Sequence, residues 1–535
     1  MIGFRHPDLV KKNEKTGRPV LKTSSPTISR LGKHILLQSI ALDQHTMESA
    51  DAKSAFLQAD NQEEGRMIWT KAVPEIAHAW GVKPGTWLRV LGAIYGLTNA
   101  PRIFWLDADR KLKAIGAIAN PLDRCMWYVK DSNGVVCGRL GSQVDDFLFG
   151  GDMQNPAWVD FRERFRSMYR WSPWQQGEFE FSGCKLSQTM TYSIHVSQED
   201  FCNSLKPVVI ENEKSRSSSD SLTPHEVSQT RALLMKAQWR ALQSAPQYCA
   251  RISLASSEIN KPTLRLLQEA NHIMRDLRKT AKEDIVFHSF NYGRKTHEKL
   301  SWRDVVFLNW GDASHKNRPN NESTGGLIIG MSTPEIIQNR EAPVSLLDWR
   351  SWKLRRVAAG SNSSEAQSIA EAEDKGWKAR LLWSIMYGMP LMRDNAYELA
   401  AQCLSFVIMD SRGCYDALTG TETPGLSMEN AKSSVDILSA SQGMDETSNH
   451  HPAWVPSDLN LADSLTKYTT DSMRTIALYH SRKSWILKFE NDFVSARKQA
   501  RLRRLAAVQK ANIANTLEEW CEDPFSRTFG VDIIR

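Results

Sequence analysis

The stretch GSQVDDFLFGG, from Gly141 to Gly151, sets two adjacent carboxylates, Asp145 and Asp146, in an apolar hairpin with glycines on both sides. Two like charges side by side repel unless a cation lies between them. A third acid, Asp51 in DAKSAFLQAD, stands at the end of a predicted strand. Phosphoryl transfer to a nucleic-acid 3′ end uses two divalent ions about 3.5–4 Å apart, one acting on the attacking hydroxyl and one on the leaving pyrophosphate. Mg²⁺ takes hard oxygen ligands and keeps several waters, so a few carboxylates suffice. One Asp from a strand and an Asp–Asp pair from a neighbouring hairpin supply that number. Each signal alone also suits a solvated turn.

The C-terminal half holds four more acids: Asp312 in NWGDAS, Glu365 in SNSSEAQSIAEAE, Asp410 in FVIMDSRGCYDAL and Asp463 in LNLADSLTK. The pattern puts the first on a strand and the second in the first turns of a helix. The third closes a strand, and the fourth opens a helix after a loop. Four carboxylates converging from separate elements would form a two-metal site for phosphodiester hydrolysis, with no obligatory general-base histidine. Singly, each would be a cap or a solvated acid, and Asp463 in particular suits an N-cap.

The elements that must carry these residues follow from periodicity and turn residues. KHILLQSIALDQH reads as a helix, followed by a strand near Met47–Ser54. MIWTKAV and WLRVLGAIYG read as strands joined by the turn VKPG, and a helix runs from Pro101 to about Ile115. RCMWYVK, the turn DSNG and VVCGRLGSQVDDFLFGG read as a hairpin, then a helix over about 155–168 and short strands through FEFSGCKLSQTMTYSIHVSQ. The polar, serine-rich 211–226 suits a linker or exposed loop, and 224–280 two or three helices. Strands in VVFLNWGDAS and TGGLIIGM precede a long helix near Ser363–Tyr387, then the strands LSFVIMDS and PAWVPS. From about 482 the chain reads as one long helix, basic between Arg497 and Lys510.

The 535 residues suffice for roughly three or four domains. A net charge of +7 is compatible with nucleic acid without requiring it. Eight cysteines without CxxC spacing argue against a disulfide framework or zinc site and for a reducing, intracellular setting, cytoplasmic or nuclear. No apolar run reaches membrane-spanning length, and the N-terminus lacks a signal-type apolar segment. The eighteen tryptophans do not separate into core and base-stacking sets by sequence.

DAKSAFLQ, IYGLTNAPRIFW and QVDDFLFGGD resemble, in order and spacing, consecutive landmarks of copia-type retrotransposon reverse transcriptases. The resemblance implies metal-binding roles for Asp51 and the Asp145–Asp146 pair. It also implies a nucleotide-seating loop through Tyr95 and Gly96, and an aromatic at Phe56 that crowds a ribose 2′-OH. FEFSGCKLS resembles the strand used near the primer end, with Ser182-Gly183 in place of Leu-Gly. AQWRALQSAPQYCARISLASSEINKPTLRLLQEANHIMRDLRK resembles the connecting region. DASHKNRPNNESTGGLIIG, SWKLRRVAAGSNSSEAQSIAEAE and WVPSDLNLADSLTK resemble the ribonuclease H domain that ends such polyproteins. That implies metal ligation by Asp312, Glu365, Asp410 and Asp463. His450 and His451 fall where related nucleases have a mobile histidine, although a solvated loop suits them better.

The expected fold is α+β: a reverse transcriptase palm with an antiparallel sheet and helical connection, then a ribonuclease H-like α/β domain with a mixed sheet. The expected organisation is fingers remnant and palm over 1–210, linker and helical connection over 211–285, nuclease over 286–475 and a basic helical tail over 476–535. The first fifty residues are too short for full fingers, so an N-terminal truncation is expected. The resemblance implies an RNA-directed DNA polymerase and ribonuclease H using Mg²⁺, two per site, with Mn²⁺ as a substitute. Its partners would be an RNA template, RNA–DNA hybrid and deoxynucleoside triphosphates. A nuclease-only or catalytically inactive nucleic-acid-binding remnant remains the alternative, and oligomeric state is left open.

Overall fold

The computed structural model describes residues 24–59, 68–210, 215–420 and 431–488. The chain enters through α1 (Arg30–Leu42), capped by the Ser29 side chain accepting from the Gly32 N–H. After β1 (Glu48–Asp51) and the short α2 (Ala55–Gln58) comes a separate ribbon, β2 (Ile68–Lys71), α3 (Pro74–Trp80) and β3 (Trp87–Val90). The ribbon departs from the expected strand–turn–strand: Pro74 at the first helical turn and the left-handed Gly81 start and stop a two-turn helix between the strands.

Next come α4 (Ala100–Ala114), β4 (Ile118–Ala119), β5 (Met126–Lys130), β6 (Val136–Gln143), β7 (Asp146–Gly151) and α5 (Pro156–Met168). The segment read as one strand up to Gly151 is two. Val144, at φ 60°, turns the chain back, so β6 and β7 form their own hairpin with Asp145 in the bend. With β8 (Gln175–Gln176) these make a six-stranded sheet in the order β4-β5-β6-β7-β1-β8, antiparallel throughout. The sheet approaches α5 closely because Gly138 and Gly151 lie under the Trp158 indole, where an added Cβ would come within 2.0 and 2.3 Å of ring atoms.

FEFSGCKLS is itself a hairpin, β9 (Glu178–Phe181) and β10 (Cys184–Gln188), turning at Ser182 and Gly183, both at positive φ. β11 (Ile194–Ser197), α6 (Glu199–Ser204), α7 (Pro224–Gln243), α8 (Cys249–Ser257), α9 (Leu264–Lys279) and β12 (Ile285–Phe287) follow. The order β12-β11-β10-β9 makes a second sheet. α7 begins with a Thr223/Glu226 capping box, so the serine-rich stretch gives way to helix at Pro224.

The last sheet comprises β13 (Val306–Ser314), β14 (Thr324–Ser332), β15 (Ala342–Lys353), β16 (Leu404–Met409) and β17 (His450–Trp454). Between its strands come α10 (Ser361–Met386), α11 (Ala396–Ala400), α12 (Arg412–Thr419) and α13 (Ala431–Asp445). β13, β14 and β15 are antiparallel, whereas β16 and β17 add in parallel, giving the expected mixed sheet. α14 (Thr470–Arg482) ends on Lys483 in the left-handed region, and β18 (Ser484–Trp485) pairs with Ala342–Pro343. The long helix read from about 482 therefore fails at its start; Arg497–Lys510 lies outside the described residues. The architecture is α+β.

The seven described cysteines are all free and buried. Among the described residues no helix is long and apolar enough to cross a membrane.

Two candidate carboxylate sites

Antiparallel pairing of β1 with β7 sets Asp51 directly opposite Asp146, with Asp145 in the adjoining bend. The Ala52 N–H donates to the Asp145 carbonyl at 3.1 Å, which ties the bend to the end of β1. The Ser172 hydroxyl donates to Asp51 Oδ2 at 2.8 Å. Burial pushes the Asp146 carboxyl up to about 6, and the charges of Asp51, Asp145 and Glu180 add to the rise. Asp145 is raised for the same first reason, with Asp51 contributing. Phe56 on α2 lies 4.8 Å, centroid to centroid, from the ring of Tyr95 and 6.4 Å from Phe104. Gly96, next in the chain, sits at φ 96°, a conformation that strains any residue with a Cβ.

The second site is tighter. Carboxylate oxygens of Asp312 on β13, Glu365 in the first turns of α10 and Asp410 just beyond β16 lie within 4.8 Å of one another. Among the described residues no other trio of potential ligands closes to that distance, Asp51, Asp145 and Asp146 included. The cross-strand neighbour of Asp312 is Gly326. Its missing side chain makes room for the short helix Leu461–Leu465 and Thr466; a Cβ there would come within 2.7 Å of the Thr466 methyl. That packing delivers the Thr466 hydroxyl to Asp312 Oδ2. Asn460, not Asp463, caps the turn: its side chain accepts from the Ala462 N–H and donates to Asp410 Oδ1 at 3.2 Å and to the Gly311 carbonyl at 3.1 Å.

Asp463 is the acid that the trio does not include. Its Oδ1 is paired to Lys467 Nζ at 2.5 Å, one helical turn later. The Lys467 ammonium also acts on Asp312 and Asp410, and these acids hold it more firmly protonated than an ordinary lysine. Lys467, Thr466 and Asn460 are the functional neighbours that sequence reasoning missed. The i, i+4 spacing of Asp463 and Lys467 in ADSLTK was the available signal.

Burial drives the Asp312 carboxyl up, and Asp410 and Asp463 push it further, while Lys467 and Thr466 oppose. Glu365 stands well above the usual carboxylate range, through burial first and then Asp312 and Asp410. Glu365 Oε2 is buried without a hydrogen-bond partner. An oxygen-only donor set, an orphaned inward-facing oxygen and mutually repelling carboxylates fit a hard divalent cation such as Mg²⁺.

His450 contradicts the expected solvated loop. It opens β17, where parallel pairing sets it beside Ser405, and it is 3% exposed. Both ring nitrogens lack hydrogen-bond partners, and Glu373 Oε1 stands 3.8 Å from Nε2. His451 alternates outward and is exposed.

No family model and no curated protein matches the chain. Among solved structures it is similar to RNase H1 from the halophilic archaeon Halobacterium salinarum NRC-1, with 14% identity over 30% of this chain and 94% of that one, TM-score 0.20. It is also similar to LC11-RNase H1 isolated from compost, with 12% identity over 33% of this chain and 99% of that one, TM-score 0.21. A third similarity is to the foamy viral protease-reverse transcriptase in complex with RNA/DNA hybrid, with 11% identity over 84% of this chain and 70% of that one, TM-score 0.26.

Proposed function

We propose that the chain hydrolyses the RNA strand of an RNA–DNA hybrid at Asp312, Glu365 and Asp410, as the nuclease half of a copia-type reverse transcriptase. The observation that carries this reading is the convergence of those three carboxylates within 4.8 Å, with Glu365 Oε2 left unpartnered. Divalent ions held by the trio would supply activation of a water and charge neutralisation at the scissile phosphate when bound. The protein's own part is positional. Asn460 orients Asp410, Thr466 orients Asp312, and Asp463 with Lys467 borders the trio as an adjustable ion pair. Hybrid affinity comes from lysine and arginine contacts to phosphate and weakens with salt. Cleavage of a labelled hybrid in Mg²⁺, abolished in Asp410→Asn and retained in Asp145→Asn, is the expected result. Equal cleavage by wild type and Asp410→Asn would refute it.

A second activity, RNA-directed DNA synthesis at Asp51, Asp145 and Asp146, is favoured by the direct cross-strand placement of Asp51 and Asp146. Phe56 against Tyr95 suits the wall of a nucleotide pocket. Primer extension on an RNA template with deoxynucleoside triphosphates tests it. If wild type extends no further than Asp145→Asn, the chain is a nuclease only.

A further inference from the structure

The β2–β3 ribbon belongs to neither carboxylate site, yet one of its faces is patterned. Its register sets Trp69 opposite Arg89 and Lys71 opposite Trp87. Residues two apart on a strand share a face, so these four project together and alternate indole with cation both along and across the ribbon. All four are exposed; Trp69 keeps 52% of its surface and Trp87 61%. Lys71 Nζ stands 5.1 Å from the centroid of the Trp87 ring. The ribbon is closed at its far end by the Ala72 N–H donating to the Thr86 carbonyl at 2.8 Å and the Gly85 N–H to the Ala72 carbonyl at 2.9 Å, so the four side chains ride on a paired backbone.

An apolar partner would cover the indoles but strip water from Lys71 and Arg89, and none of the four residues offers a counter-charge. Burying unpaired charge is costly. A polynucleotide with unstacked bases meets both demands. Its bases stack on the indoles and its phosphates answer the cations, the combination that serves single-strand binding without sequence preference. A blunt duplex has its bases already stacked and offers the indoles nothing.

We propose that the Trp69–Lys71–Trp87–Arg89 face binds an unpaired RNA or DNA strand, with bases stacked on the two indoles and phosphates on the two cations. The proposal rests on the nucleic-acid reading above for its place in a reaction, since an unpaired template overhang is what such an enzyme would feed past this ribbon. The binding itself requires neither carboxylate site.

The test is fluorescence anisotropy with the full chain in EDTA, titrated against a labelled, unstructured RNA oligonucleotide and, separately, a blunt RNA–DNA hybrid. Trp69→Ala and Trp87→Ala should each weaken oligonucleotide binding roughly 5- to 150-fold, the range set by one stacked base, and leave hybrid binding unchanged. Trp69→Phe and Trp87→Phe, which keep a ring and guard against misfolding, should retain most of the affinity. Lys71→Gln and Arg89→Gln should each lower the slope of log affinity against log salt by about 0.7. The proposal falls if the double Trp→Ala variant binds the oligonucleotide like wild type, or loses oligonucleotide and hybrid alike. It falls equally if that variant only alters self-association, which would make the face a contact between copies. A chain that cleaves no hybrid yet shows tryptophan-dependent oligonucleotide binding would refute the nuclease and leave this proposal standing.

Discussion

Removing a carboxylate from the Asp312–Glu365–Asp410 trio should stabilise the fold while destroying the site. Asp312 is 1% exposed and faces three other acids, with Lys467 as the nearby cation. Its folded-state pKa stands above the unfolded value near 3.9, so ionisation favours unfolding. The stabilising contribution is fully present below about pH 4 and is lost as pH rises through about 7. The rise from 3.8 to about 7, at ~1.36 kcal/mol per pH unit, sets a ceiling of about 4 kcal/mol on what the isosteric amide recovers. Glu365 shares the repulsion and takes up part of the protonation, so a gain of about 2 kcal/mol is expected above neutral pH. Asp312→Asn should therefore melt higher than wild type in EDTA at pH 8, and the two should converge near pH 4. Mg²⁺ should raise the wild-type melting temperature far more than the variant's, because only wild type offers the full ligand set. If Asp312→Asn melts at or below wild type in EDTA at pH 8, the carboxylates are not in electrostatic tension and the argument for a cation there is lost.

Three further outcomes are expected. Lys467→Met removes the cation paired to Asp463 and should tighten Mn²⁺ binding, read by calorimetry; unchanged or weaker binding would mean that Lys467 does not compete with the metal. Arg139→Ala should cost about 3–5 kcal/mol in chemical denaturation. Its buried guanidinium donates to Asp43 Oδ2 at 2.6 Å and the Met386 carbonyl at 2.8 Å and lies 3.9 Å from the Tyr387 ring centroid. Gly151→Ala forces a methyl into the Trp158 indole and should cost about 1–3 kcal/mol, seen as a lowered denaturation midpoint.

What was legible in the sequence was whatever depends on neighbours in the chain or on short motifs. Asp51 at the end of a strand was legible, but its meeting with Asp146 was not, because the segment holding Asp146 reads as one strand up to Gly151; Asp312, Glu365 and Asp410 came from contexts that matched their strands and helix. Burial was less legible, because it depends on what arrives from elsewhere. His450 reads as polar and loop-like until parallel pairing with β16 puts it inside. Val144 is apolar and β-branched, so nothing local marks it as the left-handed residue that splits the strand before Asp146. The tryptophans show the same limit. Trp127, Trp158, Trp310, Trp349 and Trp383 are fully buried while Trp69, Trp80 and Trp87 stand exposed, and residue type alone does not distinguish them.

The position of α1 bears on how the two sites depend on each other. Every residue from Leu31 to Leu42 is buried, the mark of a helix enclosed on all sides rather than one lying on a surface. Several of its polar side chains reach different parts of the chain. Lys33 donates to Gln243 Oε1 at 2.7 Å in α7, His34 Nδ1 lies 2.8 Å from the Leu347 carbonyl in β15, and Gln38 donates to the His288 carbonyl at 3.1 Å. Arg30 reaches Asp348 and the Leu242 carbonyl together. The six-stranded sheet, where Leu36 and Ile40 lie against Gly141 and Gly150, and the β13–β17 sheet thus share one helix as common core, and Arg139 with Asp43 and Tyr387 clamps them again beside it. Excising α1 with the six-stranded sheet would leave a face of β15 without its partner and uncover apolar surface at about 25 cal/mol per Å². On the nuclease-only reading the six-stranded sheet would still be needed to hold the Asp312 site, so an intact core around Asp51 is compatible with that reading. Loss of hybrid cleavage in a shared-core variant such as Arg139→Ala would report the scaffold, whereas loss in Asp410→Asn reports the site.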